Sequence, residues 1–277
     1  MVVTYHNHST FSDGKASVKE MIDAAAAMGV SEVGLSDHLT LHPGGRVVPW
    51  SMKPDQLTHY VEAVRAEMSR CDIVVRLGLE LDWFDGHESV LARAVAAHPF
   101  DYVLGSVHFV GDFPVDGVPS RWGKLTQDDI DALHRGYWER LARMARSGLV
   151  DIVAHLDLPK KFGHLPRAQP WDVIEPALDA IAEHGLAVEL NTAGWSKPCA
   201  DAYPSLDLLR ACRERGIETM LAADAHKPAD LLRDFDRGAE RLREAGYDHV
   251  VRFAGRVRRT ERLDQSAPAS DVNCSTG

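Results

Sequence analysis

A parallel α/β barrel is the architecture this sequence predicts, on three observations. Short β-rich runs alternate with helical stretches from end to end. Several of these runs are nearly continuous in Val, Ile and Leu, as strands buried on both faces of a parallel sheet are. At the C-terminal end of most runs stands a His, Asp or Glu, on the rim where barrels of this class place their chemistry.

The strands are read at residues 2–6, 32–36, 73–79, 102–107, 150–154, 187–190 and 218–222. That is one short of the usual eight, and the apolar run 249–253 is either an eighth strand or a packing segment. Between the strands, Ser17-Val18-Lys19-Glu20 reads as a capping box, in which hydroxyl and carboxylate satisfy first-turn amides reciprocally. Gly29, Gly148, Gly185, Gly216 and Gly246 each follow a helical run, where a left-handed C′ residue is wanted. Helices near 128–147, 172–184, 205–215 and 229–245 complete the pattern. The segments 42–53 and 111–124 read as long loops over the C-terminal face of the barrel. With no composition break or internal repeat, residues 1–263 are expected to form one domain. Residues 264–277, small, polar and Pro-containing, are expected to be a disordered tail.

Composition removes several function classes. A formal net charge of −10 argues against a nucleic-acid-binding surface and a basic membrane patch, while a local cationic pocket for a small anion stays possible. Cys71, Cys199, Cys212 and Cys274 form no Cys-x-x-Cys pair, so neither a zinc knuckle nor a disulfide framework is indicated. There is no N-terminal signal pattern and no apolar stretch long enough to cross a bilayer, so a cytoplasmic protein is expected.

The strand ends carry the chemistry. The first gives His6-Asn7-His8, two imidazoles on the same side of an extended backbone, with Asp13 in the loop behind. The second gives Asp37-His38, the third Glu80, the fourth His108, the fifth His155 and the seventh Asp224-Ala225-His226. Imidazole and carboxylate are the ligand set of zinc, manganese and iron, and so many ligands exceed what one tetrahedral ion needs. Two or three divalent ions sharing a bridging carboxylate are expected, an arrangement suited to clamping phosphate oxygens. The plainer alternatives are loop histidines, Asp37 and Asp224 as caps, and Glu80 as a surface acid. For Asp82 the surface reading is taken. His59, His87, His98, His134, His164, His184 and His249 are read as solvent-exposed.

With these residues in view, the chain resembles the PHP superfamily (polymerase and histidinol phosphatase), whose fold is a distorted seven-stranded (β/α)7 barrel. The stretches Gly78-Leu79-Glu80-Leu81-Asp82, Gly105-Ser106-Val107-His108-Phe109, His155-Leu156-Asp157-Leu158-Pro159-Lys160-Lys161-Phe162, Glu189-Leu190-Asn191-Thr192-Ala193-Gly194 and Tyr203-Pro204-Ser205 look like its histidinol-phosphatase branch. The resemblance runs from His6 to about Pro228. It implies three divalent ions: one on His6, His8, Glu80 and Asp224, a second on Glu80, His108 and His155, and a third on Asp13, His38 and His226. Glu80, Asp224 and His226 are the members expected to act in catalysis. The implied reaction is hydrolysis of L-histidinol phosphate to L-histidinol and phosphate, late in histidine biosynthesis. Lys160, Lys161 and His42 are candidate substrate contacts. Where the family often has an Arg-Lys pair after Asn-Thr-x-Gly, this chain has Ser196-Lys197, so Lys197 or Arg121 would have to compensate.

Three competing functions stand beside this one. Another small phosphate ester or nucleotide would satisfy the same ligands. An amidohydrolase-type enzyme also begins with His-x-His, but usually bridges its ions with a carboxylated lysine where this chain has Glu80. A non-catalytic metal-binding module is disfavoured by the complete ligand set.

Overall fold

β-branched and leucine-rich runs form strands here because both faces of each are covered, by helices outside and by side chains from across the barrel inside. The computed structural model describes residues 2–263; the tail expected at 264–277 lies outside the described residues. Seven strands alternate with helices: β1 Val3–Thr4, β2 Glu32–Leu35, β3 Val74–Asp82, β4 Tyr102–Ser106, β5 Ile152–Val153, β6 Ala187–Asn191 and β7 Thr219–Ala222. The connecting helices are α1 Val18–Ala27, α2 Leu57–Met68, α3 Glu88–Ala96, α4 Gln127–Ala145, α5 Trp171–Glu183, α6 Leu206–Glu214 and α7 Phe235–Glu244.

All six strand pairings are parallel and in chain order, which makes a nearly closed barrel. The seam between β7 and β1 is joined past the strand ends by one parallel bridge, Asn7 to Ala225. There the His8 N–H donates to the Ala225 carbonyl at 2.8 Å and the Ala225 N–H to the His6 carbonyl at 3.1 Å. This bridge ties together the two segments richest in candidate ligands. His38–Leu39 adds a short strand beside Glu80–Leu81 of β3. For that reason β3 runs three residues further than the sequence reading, to Asp82.

Barrel interior and helix layer form separate cores. Inside, Tyr5, Tyr102, Leu104, Ile152 and Met220 pack together. The Tyr102 side chain fits because Gly34 and Gly78 lack side chains; a Cβ on Gly34 would lie 2.1 Å from its hydroxyl and one on Gly78 2.2 Å from its ring. Outside, Ile22 of α1, Trp138 of α4 and Ile181 of α5 share one core with Val33, Val103 and Val188 of the strands. The run at 249–253 is not an eighth barrel strand. It is β8 (His249–Ala254) of an antiparallel hairpin with β9 (Val257–Arg262), and its Val251 and Phe253 plug the barrel's inner core.

Local punctuation follows the sequence closely. Ser17 and Glu20 form the capping box, and the five helix-ending glycines have φ between 64° and 91°. The last helix starts later than 229, because Pro228–Asp230 is a 3-10 turn and Asp234 is left-handed at φ 57°. Segment 111–124 is more ordered than a loop, with Phe113–Pro114 pairing with Phe109–Val110 and a helical turn at Pro119–Trp122. Among the described residues no helix is long and apolar enough to cross a membrane.

His134 departs from its exposed reading. It is buried on α4, packs against Trp122, and its Nε2–H donates to the His164 carbonyl at 2.9 Å. A helix face turned toward the core reads the same in sequence whether an imidazole or an apolar ring fills it. His59 and His184 are exposed as expected, whereas His87, His98, His164 and His249 are half-buried. Burial holds the His134 pKa below its ordinary 6.5. The unfolded chain therefore takes up this proton first, and the stability His134 contributes is full above about pH 6.5 and lost as pH falls through the folded value. The stability difference between the parent and His134→Gln, from denaturant midpoints, is expected to shrink from pH 7.5 to pH 5. A pH-independent difference would remove this account.

Candidate active site

Every strand of a parallel barrel delivers its C-terminal residue to one rim, so the candidates spread along the sequence converge in space. Glu80, 1% exposed, is their centre. Its Oε2 lies 2.7 Å from His38 Nδ1, 3.1 Å from His6 Nε2 and 3.5 Å from His8 Nε2. Its Oε1 lies 3.0 Å from His155 Nε2 and 3.6 Å from His108 Nε2, and accepts from the Ser106 hydroxyl at 2.5 Å. The carboxylate thus splits its two oxygens between two groups of imidazoles. On one side, His8 Nε2 is 3.1 Å from Asp224 Oδ1, and the His8 ring stacks with His38 and with His226 at 4.3 Å. Asp13 Oδ1 lies 3.1 Å from His226 Nε2 and 3.7 Å from His38 Nε2. The other side holds His108 and His155, whose Nε2 atoms are 3.2 Å apart. All nine side chains expected as metal ligands are gathered in this one cluster.

Charge and burial pull against each other across it. Burial and the neighbouring His226 and His38 push His8 down to about 3. Burial would raise Asp13, but the hydrogen bond from His226 and the charge of His38 hold it at about 2. Glu80 and Asp224 are likewise held well below the carboxylate range, against burial, by His38 and His6 around the first and by His6 and His8 around the second.

The donor set fits divalent cations. Histidines that bind metal through one nitrogen usually donate the other N–H to a carboxylate or carbonyl, which fixes tautomer and ring orientation. Three do so here: His6 Nδ1 to Glu189 Oε2 at 2.8 Å, His108 Nδ1 to Asp82 Oδ1 at 2.9 Å, and His226 Nδ1 to the Asp224 carbonyl at 3.0 Å. Each leaves Nε2 turned toward the cluster. His8 Nδ1 and His155 Nδ1 are buried polar atoms without a hydrogen-bond partner among the described residues, while their Nε2 atoms face the carboxylates.

Two of these supports escape the sequence reading. Asp82, read as a surface acid, is buried; besides His108 it takes the Thr40 hydroxyl at 2.6 Å. Residues 80 and 82 of a strand face the same way, so an inward Glu80 already carried that signal. Glu189 sits within β6, is fully buried, and also accepts the His155 N–H at 2.7 Å. A lone acid inside an apolar strand, opening the stretch Glu189-Leu190-Asn191-Thr192-Ala193-Gly194, was its mark in the sequence. Asp37 is a turn anchor: it accepts from the backbone and hydroxyl groups of Ser9 and Ser12, fixing the loop that carries Asp13. Replacing Glu189 by Gln, or Asp82 by Asn, is expected to weaken metal affinity about 10–100-fold with the fold intact. Metal content after dialysis against graded chelator reads this out, and retention equal to the parent's would refute the orienting role.

A cavity of about 480 Å³ opens onto the cluster, its walls including Trp50 and Asp116 from the two overhanging segments. Lys161 and Lys197 lie on its wall. Lys160 does not. It is buried behind the wall, with Nζ 2.8 Å from Asp201 Oδ2 and 3.0 Å from Asp157 Oδ2. His42 packs edge-on against Phe84 and Phe109, and Arg121 is exposed; neither lines the cavity. Arg233, not singled out in the sequence, does line it, held by the Ala223 carbonyl at 2.7 Å.

Comparison with known proteins places this geometry among relatives. A family model described as PHP domain matches residues 4–193. Over 232 residues the chain is 40% identical to a Deinococcus radiodurans protein named "Probable histidinol-phosphatase", covering 82% of this chain and 87% of that one. It is 23% identical over 267 residues to the "Histidinol-phosphatase" of Lactococcus lactis, covering 91% and 94%. Among solved structures, the Lactococcus lactis histidinol phosphate phosphatase complexed with zinc, L-histidinol and phosphate matches with a TM-score of 0.78 at 22% identity, covering 93% of this chain and 98% of that one. At that identity the match establishes a shared fold.

Proposed function

The chain belongs to the PHP domain family, and from that premise we propose that it is a histidinol-phosphatase, a phosphoric monoester hydrolase acting on L-histidinol phosphate. The observation that carries this reading is the gathering of eight imidazole and carboxylate side chains around Glu80, at the floor of a cavity with cations on its wall.

The ligands fit three divalent ions of the zinc, manganese or iron type. His6, His8, Glu80 and Asp224 would hold the first, Glu80, His108 and His155 the second, and Asp13, His38 and His226 the third. When bound, such ions lower the pKa of a water and neutralise phosphoryl charge. The remaining work falls to the chain. Glu80, with its two oxygens turned to two groups of histidines, spaces the first two positions. Asp224 and His226, with side chains 19% and 31% exposed, stand at the edge of the cluster where ester and water enter. Lys161, Lys197 and Arg233 draw in the phosphate and fix its orientation. The substrate partner is a small phosphorylated metabolite, the barrel acts as one domain over residues 1–263, and the protein works in the cytoplasm.

Phosphate release from L-histidinol phosphate by metal-analysed protein tests the reading, with His108→Ala as control and a panel of other phosphate esters ranked by kcat/KM. Turnover highest on L-histidinol phosphate and lost in the control is expected. Fully metal-loaded protein that leaves this ester untouched, or prefers another, would overturn the assignment.

A further inference from the structure

Lys160 sits between two segments that the cavity needs. It lies on the 3-10 turn Leu158–Phe162, which follows β5 and brings Leu158 and Lys161 to the cavity wall. Asp201, its closest partner, lies on the segment after β6 that carries Lys197 and Tyr203 to the same wall. A lysine ammonium has three donors; Asp157 and Asp201 engage it here, and the ammonium lies 5.7 Å from the Tyr203 ring centre. The pairing extends outward, since Asp201 Oδ1 also meets Arg241 of α7 at 3.1 Å. Two acids and two bases thus form a balanced chain linking the β5 turn, the β6 segment and α7. A backbone bond, Cys199 N–H to the Lys161 carbonyl at 3.2 Å, runs beside it. The turn itself needs holding, because His155 and Asp157 have positive φ, at 25° and 75°.

We propose that Lys160 is a positioning residue: through Asp157 and Asp201 it sets the spacing of Lys161 and Lys197 across the cavity, and it does not touch the substrate. This rests on reading the cavity as a phosphate-ester site. Its chemistry is that of a buried ion pair whose value lies in geometry rather than in net stability. Loss of such a tie displaces a clamp that acts alike on bound ester and transition state, so it raises KM and leaves kcat unchanged.

The test compares Lys160→Met, Asp201→Asn, the double variant and Lys160→Arg in metal-loaded protein. Inorganic phosphate affinity by calorimetry and KM for L-histidinol phosphate are the readouts. Both single variants are expected to weaken phosphate binding and raise KM by about tenfold with kcat near the parent's, as loss of uniform binding does. The double variant should be no worse than either, and Lys160→Arg should recover most of the loss. Parent-like phosphate affinity in Asp201→Asn would overturn the proposal, because Lys160 would then act without its tie. Should Lys160→Met not fold, Asp201→Asn, which keeps the Lys160–Asp157 pair, and Lys160→Arg still decide. A parent that binds phosphate but does not hydrolyse L-histidinol phosphate would refute the proposed function alone. A parent that hydrolyses it while the variants bind phosphate as the parent does would refute this inference alone.

Discussion

Glu80→Gln is expected to remove turnover and metal together, lowering kcat/KM by more than about 100-fold. Replacing outer-shell partners of a metal site commonly costs about 10–100-fold, and Glu80 is the group those partners surround. Five imidazoles approach its two oxygens, at 2.7, 3.1 and 3.5 Å on one and 3.0 and 3.6 Å on the other. Glutamine keeps the shape and the Ser106 contact but brings no charge, so two neighbouring cation positions lose their shared anion. Its amide nitrogen would also turn a donor toward an imidazole nitrogen or a cation, where only acceptors serve. Metal analysis and turnover of L-histidinol phosphate are to be measured on the same preparation. A Glu80→Gln protein that kept the parent's metal content and rate would remove Glu80 from the centre of the site.

What made this site legible in sequence is barrel geometry. Parallel strands place their C-terminal residues side by side, so a pattern of apolar run then His or Asp maps directly onto one rim. His6, His108, His155 and Asp224 come together for that reason, and the same runs give the strand order. Legibility stops where a side chain's role depends on direction rather than on chain position. Lys160 and Lys161 are neighbours of one type, yet a 3-10 turn sends one behind the wall and the other onto it. Glu189 hides within β6 because the barrel interior accepts a carboxylate wherever histidine N–H groups meet it. Residues 249–253 satisfy strand chemistry fully; only the Asn7–Ala225 bridge, which joins β1 to β7 without them, sets the count at seven.

Chelation is expected to lower Tm by roughly 5–15 °C, with recovery on returning a divalent ion. Ligands that bind only the native state add about 2.7 kcal/mol at a hundredfold excess over Kd and about 4.1 kcal/mol at a thousandfold. For domains near this size each kcal/mol moves Tm by about 2–4 °C. The cluster gives reason to expect the upper part of that range. Without ions, the buried Glu80 depends on imidazolium neighbours for its countercharge, while His8 is pushed down to about 3 beside His38 and His226. The His8 side chain therefore stays neutral with a buried, unpartnered Nδ1. The ligands also come from both sides of the barrel seam, His6 and His8 past β1 and Asp224 and His226 past β7, where a single bridge joins the sheet. Ions held by both segments would close that seam, so their loss should be felt first there, as faster amide exchange at His8 and Ala225 than at the paired β3–β4 strands. Differential scanning calorimetry with hydrogen exchange, on protein whose metal content is measured before and after chelation, makes the comparison. Unchanged Tm with metal demonstrably removed would mean that the cluster is held by the fold alone, and the ions would then have no part in closing the barrel.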